Sequence, residues 1–409
     1  MKTYFTLILL FLMSITSYGQ EITEIDINST HLNEIKVLRV FIPEDYVISK
    51  KKYPLTIILD SEMLFESYVA SAKLFSNSKI NPQQIIVGIK QFEGIDKNKD
   101  YGYNSLNSYP SSNSINTLEF IKQELIPTIK KRYRIASFKT IVGTEVTANF
   151  LNYFLFEKNP IFDAYISINP ELAPDMPTHL KGYAPQLTGN DTYYYMSHGN
   201  NTIQKDKKLI DATDVGLIGV SNLYFNYKYE NFKNAATIIS IPQSLASAQE
   251  FIFSMYSPIS DHEYETSISF LSPPAAIQYL LYKYENIEYV YGEKLSIRQE
   301  DFIKTEPILL DKEKGGSLEE YGELALRIHP TSPIGNYYMG QYFEKKEEYA
   351  EALLAYKKGY AKIPQTSPKS YGYYMNIKRI ISLQKLEEEE QREREEREAK
   401  EESLADVQL

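Results

Sequence analysis

Thr140-Ile-Val-Gly-Thr-Glu-Val-Thr-Ala-Asn-Phe150 is the stretch on which the fold turns. Thr140–Val142 is short, apolar and β-branched, as a buried strand requires, and Val146–Phe150 has the composition of a helix opening. Between them Gly143–Glu145 supplies a turn. A strand passing so abruptly into a helix presents one side chain at the tip of the turn. Here that side chain is the carboxylate of Glu145, flanked two positions away by Gly143 and Thr147.

The segments before and after show the same alternation of strand and helix. Glu34–Pro43 alternates apolar and polar residues and stops at proline, the mark of a half-buried strand. Leu55–Leu59 and Ile85–Ile89 are nearly continuous apolar runs, as in strands covered on both faces. Ser61–Ser76 has helical spacing, and Asn116–Tyr133 places Leu118, Ile121, Leu125 and Ile129 on one face, with Pro127 predicting a kink. Phe162–Ile168 and Tyr193–Met196 read as further strands. Such alternation predicts an α/β fold with a mostly parallel, doubly covered sheet.

Met1–Gln20 carries Lys2, the apolar run Phe5–Met13 and then Ser17-Tyr18-Gly19. That pattern predicts a signal peptide over residues 1–19, cut before Gln20, and an exported chain with no transmembrane segment after cleavage, periplasmic or secreted. The chain has no cysteine, which rules out disulfides, thiolate metal sites and thiol catalysis. A net charge of −10 argues against a nucleic-acid partner. No cofactor or metal is expected.

The ordered series Arg39-Val-Phe-Ile-Pro43 with Tyr46, Tyr53-Pro54 running into Leu59-Asp60, Ile85–Ile89, Glu124-Leu-Ile-Pro127 with Tyr133-Arg134, and Phe162 through Asn169-Pro170 resembles the secreted esterases of the α/β-hydrolase class related to enterochelin and feruloyl esterases. The resemblance covers roughly Glu34 to Tyr256. It implies that Gly143–Thr147 stands at the nucleophile elbow, spelled G-x-S-x-G in that class. It further implies a serine position at Glu145 and a histidine position at or near Thr237. The acid position follows Tyr193–Met196, where no carboxylate occurs before Asp206. All three roles of a serine hydrolase thus read as vacant.

Of the five histidines (His31, His179, His198, His262 and His329), only His198 follows a strand at the ligand-facing end of the sheet, which makes it the candidate pocket residue. Its plain alternative is a loop histidine with solvent or a backbone partner. Glu145 as a nucleophile would need a base-activated water to release its ester. Thr147, β-branched where the elbow wants a small residue, predicts a relaxed turn. Glu145 would then have φ below zero and its carboxylate would meet amides near Thr147 or Ala148.

Beyond Asp261 the pattern becomes helical, at Pro273–Tyr284, Gln299–Leu310 and Leu318–Ile328. Gly340, Phe343, Ala352, Tyr356 and Pro364 then resemble the small, aromatic and breaker positions of a tetratricopeptide repeat, with Asn336 where tryptophan is usual. His329-Pro330 ends a preceding half-repeat about 34 residues before Pro364. Tyr371–Leu386 reads as a capping helix. Glu387–Glu402 holds ten acidic and four basic residues, the composition of a solvated charged helix.

The predicted organisation is therefore a signal peptide (1–19), an α/β-hydrolase domain (20–262), an all-helical tetratricopeptide-like domain (263–386) and an acidic helical tail (387–409). The expected function is that of a degenerate, non-catalytic envelope protein acting as an interaction or assembly subunit. Its protein partners would bind through the helical region, at Tyr337, Tyr338, Gln341 and Tyr342 on the predicted helix Gly335–Tyr349. The alternative is an active carboxylic-ester hydrolase for sugar, feruloyl or siderophore-type esters.

Overall fold

The computed structural model describes residues 22–91, 96–311, 316–364 and 366–406; the expected signal peptide lies outside them. Strands β1 (Ile22–Ser29), β2 (Glu34–Phe41), β3 (Tyr53–Ile58), β4 (Ile85–Ile89), β5 (Ile135–Thr144), β6 (Ala164–Ile168), β7 (Thr192–Gly199) and β8 (Phe225–Phe232) form one sheet. Its order is β1-β2-β4-β3-β5-β6-β7-β8. The pairs β1–β2 and β2–β4 are antiparallel, and all others are parallel. β3, β4 and β6 are buried along their whole length, which is why their sequences lack alternation. The edge strand β1 keeps one side in solvent, while the edge strand β8, with its tyrosines, asparagines and glutamate, is half-buried along nearly all its length.

The predicted helix Asn116–Tyr133 is found as Ser112–Glu119, Phe120–Leu125 and Ile126–Arg132, run together. Pro127 does not end it. The middle segment widens to a π-turn one step upstream, which accommodates the missing amide and the ring. From this helix Glu124 reaches back to the β1–β2 turn, accepting from Ser29 Oγ at 2.5 Å, Thr30 N at 2.8 Å and His31 N at 3.3 Å. Burial alone would raise its pKa, but these donors hold it below the usual carboxylate value.

The chain divides into two compact units. The first runs to Ser257 and takes in Asn286–Lys294; the second comprises Pro258–Glu285 and everything from Leu295 on. In the first unit Tyr291 is fully buried against Phe138, Phe253 and Tyr256. Gly292 follows with φ +73°, and a Cβ there would lie 2.7 Å from that of Lys52. Glu293 accepts from Lys51 Nζ and from the Tyr256 hydroxyl, each at 3.0 Å.

The second unit contains the helices Gln299–Asp311, Gly316–Ile328, Ile334–Lys345, Tyr349–Tyr360 and Lys369–Asp406. Close packing depends on glycines placed where the next helix inserts a side chain. A Cβ on Gly322 would meet Met339 Sδ at 2.7 Å, one on Gly340 the Tyr356 ring at 2.5 Å, and one on Gly359 the Tyr373 ring at 2.5 Å. Ala352 is fully buried beside them. These are the small positions that a tetratricopeptide-like pair requires.

Candidate functional site

Glu145 sits between β5 and the helix Val146–Phe150 with φ +54° and ψ −120°. The turn has not relaxed, contrary to what Thr147 led us to expect. For a non-glycine residue this backbone geometry costs roughly 1–3 kcal/mol, so the surroundings must impose it. Glu145 N donates to Ile168 O at 3.2 Å, and Glu145 O accepts from Asn149 N at 3.3 Å and Glu171 N at 3.1 Å. The Glu145 side chain does not cap the helix.

Two residues explain why a β-branched Thr147 is tolerated. Gly143 absorbs the close approach, since a Cβ there would lie 2.7 Å from Thr147 C, O and Oγ1. Thr147 itself is fully buried; its hydroxyl donates to Asp60 Oδ2 and accepts from Thr144 N at 2.9 Å. Asp60, 2% exposed at the end of β3, also accepts from Thr144 N at 3.2 Å and pairs through Oδ1 with Lys97 Nζ at 2.5 Å. Burial would lower the pKa of Lys97, but Asp60, with Glu145 and Glu62 beyond it, holds the ammonium above its usual value. The Asp60–Thr147–Lys97 linkage was not foreseen. Its sequence signal is only a lone aspartate at a strand end.

Two further carboxylates gather beyond the turn. Glu171 is raised by burial and then by the charges of Glu145 and Asp206. Asp206, nine-tenths buried at the start of the helix Gln204–Leu217, is raised by burial. Asp206 is thus the first carboxylate after β7, and it faces the same acidic neighbourhood. Among the described residues, no group of acidic and histidine side chains is arranged to hold a metal ion.

Thr237, at the start of the helix Thr237–Ile252, is locked by its neighbours. Asn169, with φ +46°, donates through Nδ2 to Thr237 O at 3.3 Å and accepts at Oδ1 from Gly199 N at 2.8 Å. A Cβ on Gly199 would come within 2.8 Å of Thr237 Cα. Backbone fills this place, and the side chain there has no proton-accepting nitrogen.

His198 does not lie on a loop. It is inside β7, 2% exposed, with its Nδ1 sharing a hydrogen bond of 3.1 Å with the Tyr229 hydroxyl and its ring stacked on that tyrosine. Successive strand residues point to opposite faces. Ser197 meets Ser244 of the helix Thr237–Ile252, whereas His198 feels Asp211 and Lys207 of Gln204–Leu217. It therefore belongs to the sheet's other face. His179 pairs with Asn107 O at 3.2 Å and His329 with Ile297 O at 2.7 Å. Among the described residues, no histidine is hydrogen-bonded to Glu145.

The tyrosines expected to line a groove are mostly committed within their own unit. Tyr338 is fully buried, its ring 4.8 Å from that of Tyr321 and its hydroxyl 3.2 Å from Glu306 Oε2. Tyr342 is buried too, and Gln341 donates to the Tyr356 hydroxyl at 2.7 Å. Tyr337 is half-buried among Tyr338, Tyr356 and Tyr373. The helix spans Ile334–Lys345, and these side chains pack it.

No family model matches the chain, and no curated protein is detectably similar in sequence. Solved structures are similar. An uncharacterised protein from Capnocytophaga ochracea superposes with a TM-score of 0.70 at 23% identity, over 88% of this chain and 100% of that one. An IroE-like serine hydrolase from Shewanella oneidensis gives 0.56 at 17% identity, over 83% and 99%. The chain carries the esterase-like α/β-hydrolase fold. Both superpositions extend past the residues of the first unit, so the esterase-like likeness includes helical residues of the second. The BES protein from Bacillus cereus gives 0.50 at 17% identity, over 58% of this chain and 99% of that one.

Proposed function

We propose that this chain is an exported, non-catalytic protein of the esterase-like fold, working by protein contact in the cell envelope through its helical unit. What supports the proposal is that the turn keeps its strained shape with Glu145 at its tip, while Thr237, at or near which the resemblance puts the base, is held by Asn169 and packed against Gly199. A carboxylate can open an ester by attack, but the acyl anhydride it forms must then be cleared by activated water. Among the described residues, no histidine is hydrogen-bonded to Glu145 to activate that water. The exposed outer surface of the terminal helix leaves the helical unit with surface to offer.

A second reading is favoured by the retained strain. A turn that still costs free energy supports a site still in use, and the Shewanella neighbour is described as a serine hydrolase. On that reading the chain turns over a carboxylic ester of sugar, feruloyl or siderophore type. Purified protein assayed against short-chain nitrophenyl esters and a catecholate triester separates the two. Turnover that follows protein concentration and vanishes in Glu145→Gln would overturn the non-catalytic proposal.

A further inference from the structure

The terminal helix Lys369–Asp406 carries two apolar faces. Tyr373, Ile377, Ile380 and Leu383 pack inward on the cluster around Ala352 and Tyr356. On the opposite side Tyr371, Tyr374, Met375, Ile381 and Leu386 are 66, 42, 45, 37 and 54% exposed. Counted from Tyr371 they fall 3, 4, 10 and 15 residues on, which keeps them on one broad face along about four turns. A helical stack normally closes with a polar outer face, because the last repeat has no neighbour to cover it. This one does not close.

Charge says what covers the stripe. Beyond Leu386 the helix is exposed and strongly acidic from Glu387 to Glu390, with Arg394–Glu390 and Arg397–Glu393 pairs further on. At the other end of the stripe lie the exposed Lys357, Lys358 and Lys369. Lys369 is on this helix and Lys357 and Lys358 are on the preceding helix Tyr349–Tyr360, so the two helices together offer lysines at one end and the terminal helix glutamates at the other, a surface complementary to itself when reversed.

We propose that the outer face of Lys369–Asp406 binds the same face of a second copy of this chain, antiparallel about a twofold axis near Lys378 and Arg379. Tyr371 of each copy then lies near Leu386 of the other, and each acidic run covers the other's lysine end. A parallel pairing would set the two acidic runs side by side. Of the basic residues nearest the axis, Arg379 pairs with Glu344 at 2.7 Å, and Lys378 lies over the Tyr374 ring at 4.7 Å, within the face itself. The inference is independent of whether the first unit hydrolyses anything.

Sedimentation equilibrium of the full mature chain tests it. The expected result is a dimer whose dissociation constant rises with salt, because the end contacts are exposed and screened. Met375→Glu with Ile381→Glu, both at exposed positions, should weaken it by at least about tenfold while circular dichroism stays unchanged. Reversing Glu388 and Glu389 to lysine should weaken it, and reversing Lys357 and Lys358 to glutamate in the same chain should restore it. A monomer at every soluble concentration overturns the proposal. So does a dimer indifferent to the Met375/Ile381 change, or one whose tail reversal the lysine reversal does not rescue.

Discussion

The Thr147 hydroxyl donates to the buried carboxylate of Asp60, tying the first turn of the elbow helix to the end of β3. Asp60 is in turn balanced by Lys97, so its charge is not left unpaired among apolar side chains. Thr147→Val keeps the shape and removes one donor. We expect a loss of roughly 1–3 kcal/mol, read by urea denaturation, since Asp60 is too buried for water to replace that bond. An unchanged midpoint would mean that Lys97 and Thr144 N suffice.

Glu145→Gly should stabilise the protein. Glycine adopts φ +54° without strain, relieving roughly 1–3 kcal/mol, against which it loses about 0.5–1 kcal/mol of chain entropy. Removing a charge beside Glu171 acts in the same direction. A lower melting temperature in this variant would show that the glutamate itself supports the turn.

Glu145→Ser alone should yield no esterase, because the hydroxyl lacks a base. Adding Thr237→His supplies an imidazole at a tightly packed place, and nitrophenyl ester turnover should rise above that of the single variant. Substantial activity in the serine variant alone would reveal a base elsewhere.

Acid should weaken the first unit through His198. Burial lowers its pKa, so the folded state prefers the neutral ring. The sign follows from linkage: stability is fully present above the unfolded value of about 6.5 and is lost as pH falls below it toward the folded-state value. His198→Gln should flatten the stability profile over that interval, measured by denaturation at closely spaced pH. An identical slope would place the titration elsewhere.

Truncation should distinguish the segments of the second half. Deletion from Ser317 onward retains Tyr291 and should leave a folded first unit that no longer co-purifies with envelope partners. Ending the chain at Ser257 removes Tyr291 from its buried place, and we expect insoluble protein. Tyr291→Ala in the full chain should cost roughly 3–5 kcal/mol for the same reason. A truncated chain that keeps its partners would move the contact surface to the first unit.

The parallel centre of the sheet was legible because β3, β4 and β6 are predominantly apolar on both faces, as burial on both faces favours. The edges were not. β1 buries one side only, and β8 is half-buried on both, with tyrosines that suit loops and helices equally well. At the site, a turn at Gly143–Glu145 could be read from the change of strand into helix, and its standing as an elbow came only from the resemblance. Whether the turn stayed strained could not, since that depended on where the Thr147 hydroxyl found its acceptor, across the sheet at Asp60. His198 was misplaced for a related reason: β7 runs three residues beyond Tyr193–Met196, and strand parity then sends the imidazole to the other face. The tyrosines of Ile334–Lys345 looked like surface because the residue is amphipathic, and a hydroxyl can be satisfied inside by Glu306 as readily as by solvent.

The backbone at position 145 is shaped by Gly143, Ile168 and Asn149 rather than by its own occupant. It therefore behaves as a socket, holding whatever side chain is placed there at one fixed point and direction above the sheet. Because the chain contains no cysteine, Glu145→Cys would provide a single thiol on a rigid mount. A fluorophore or spin label attached there would report on the surroundings of this turn from a fixed point of attachment, making position 145 a measuring point.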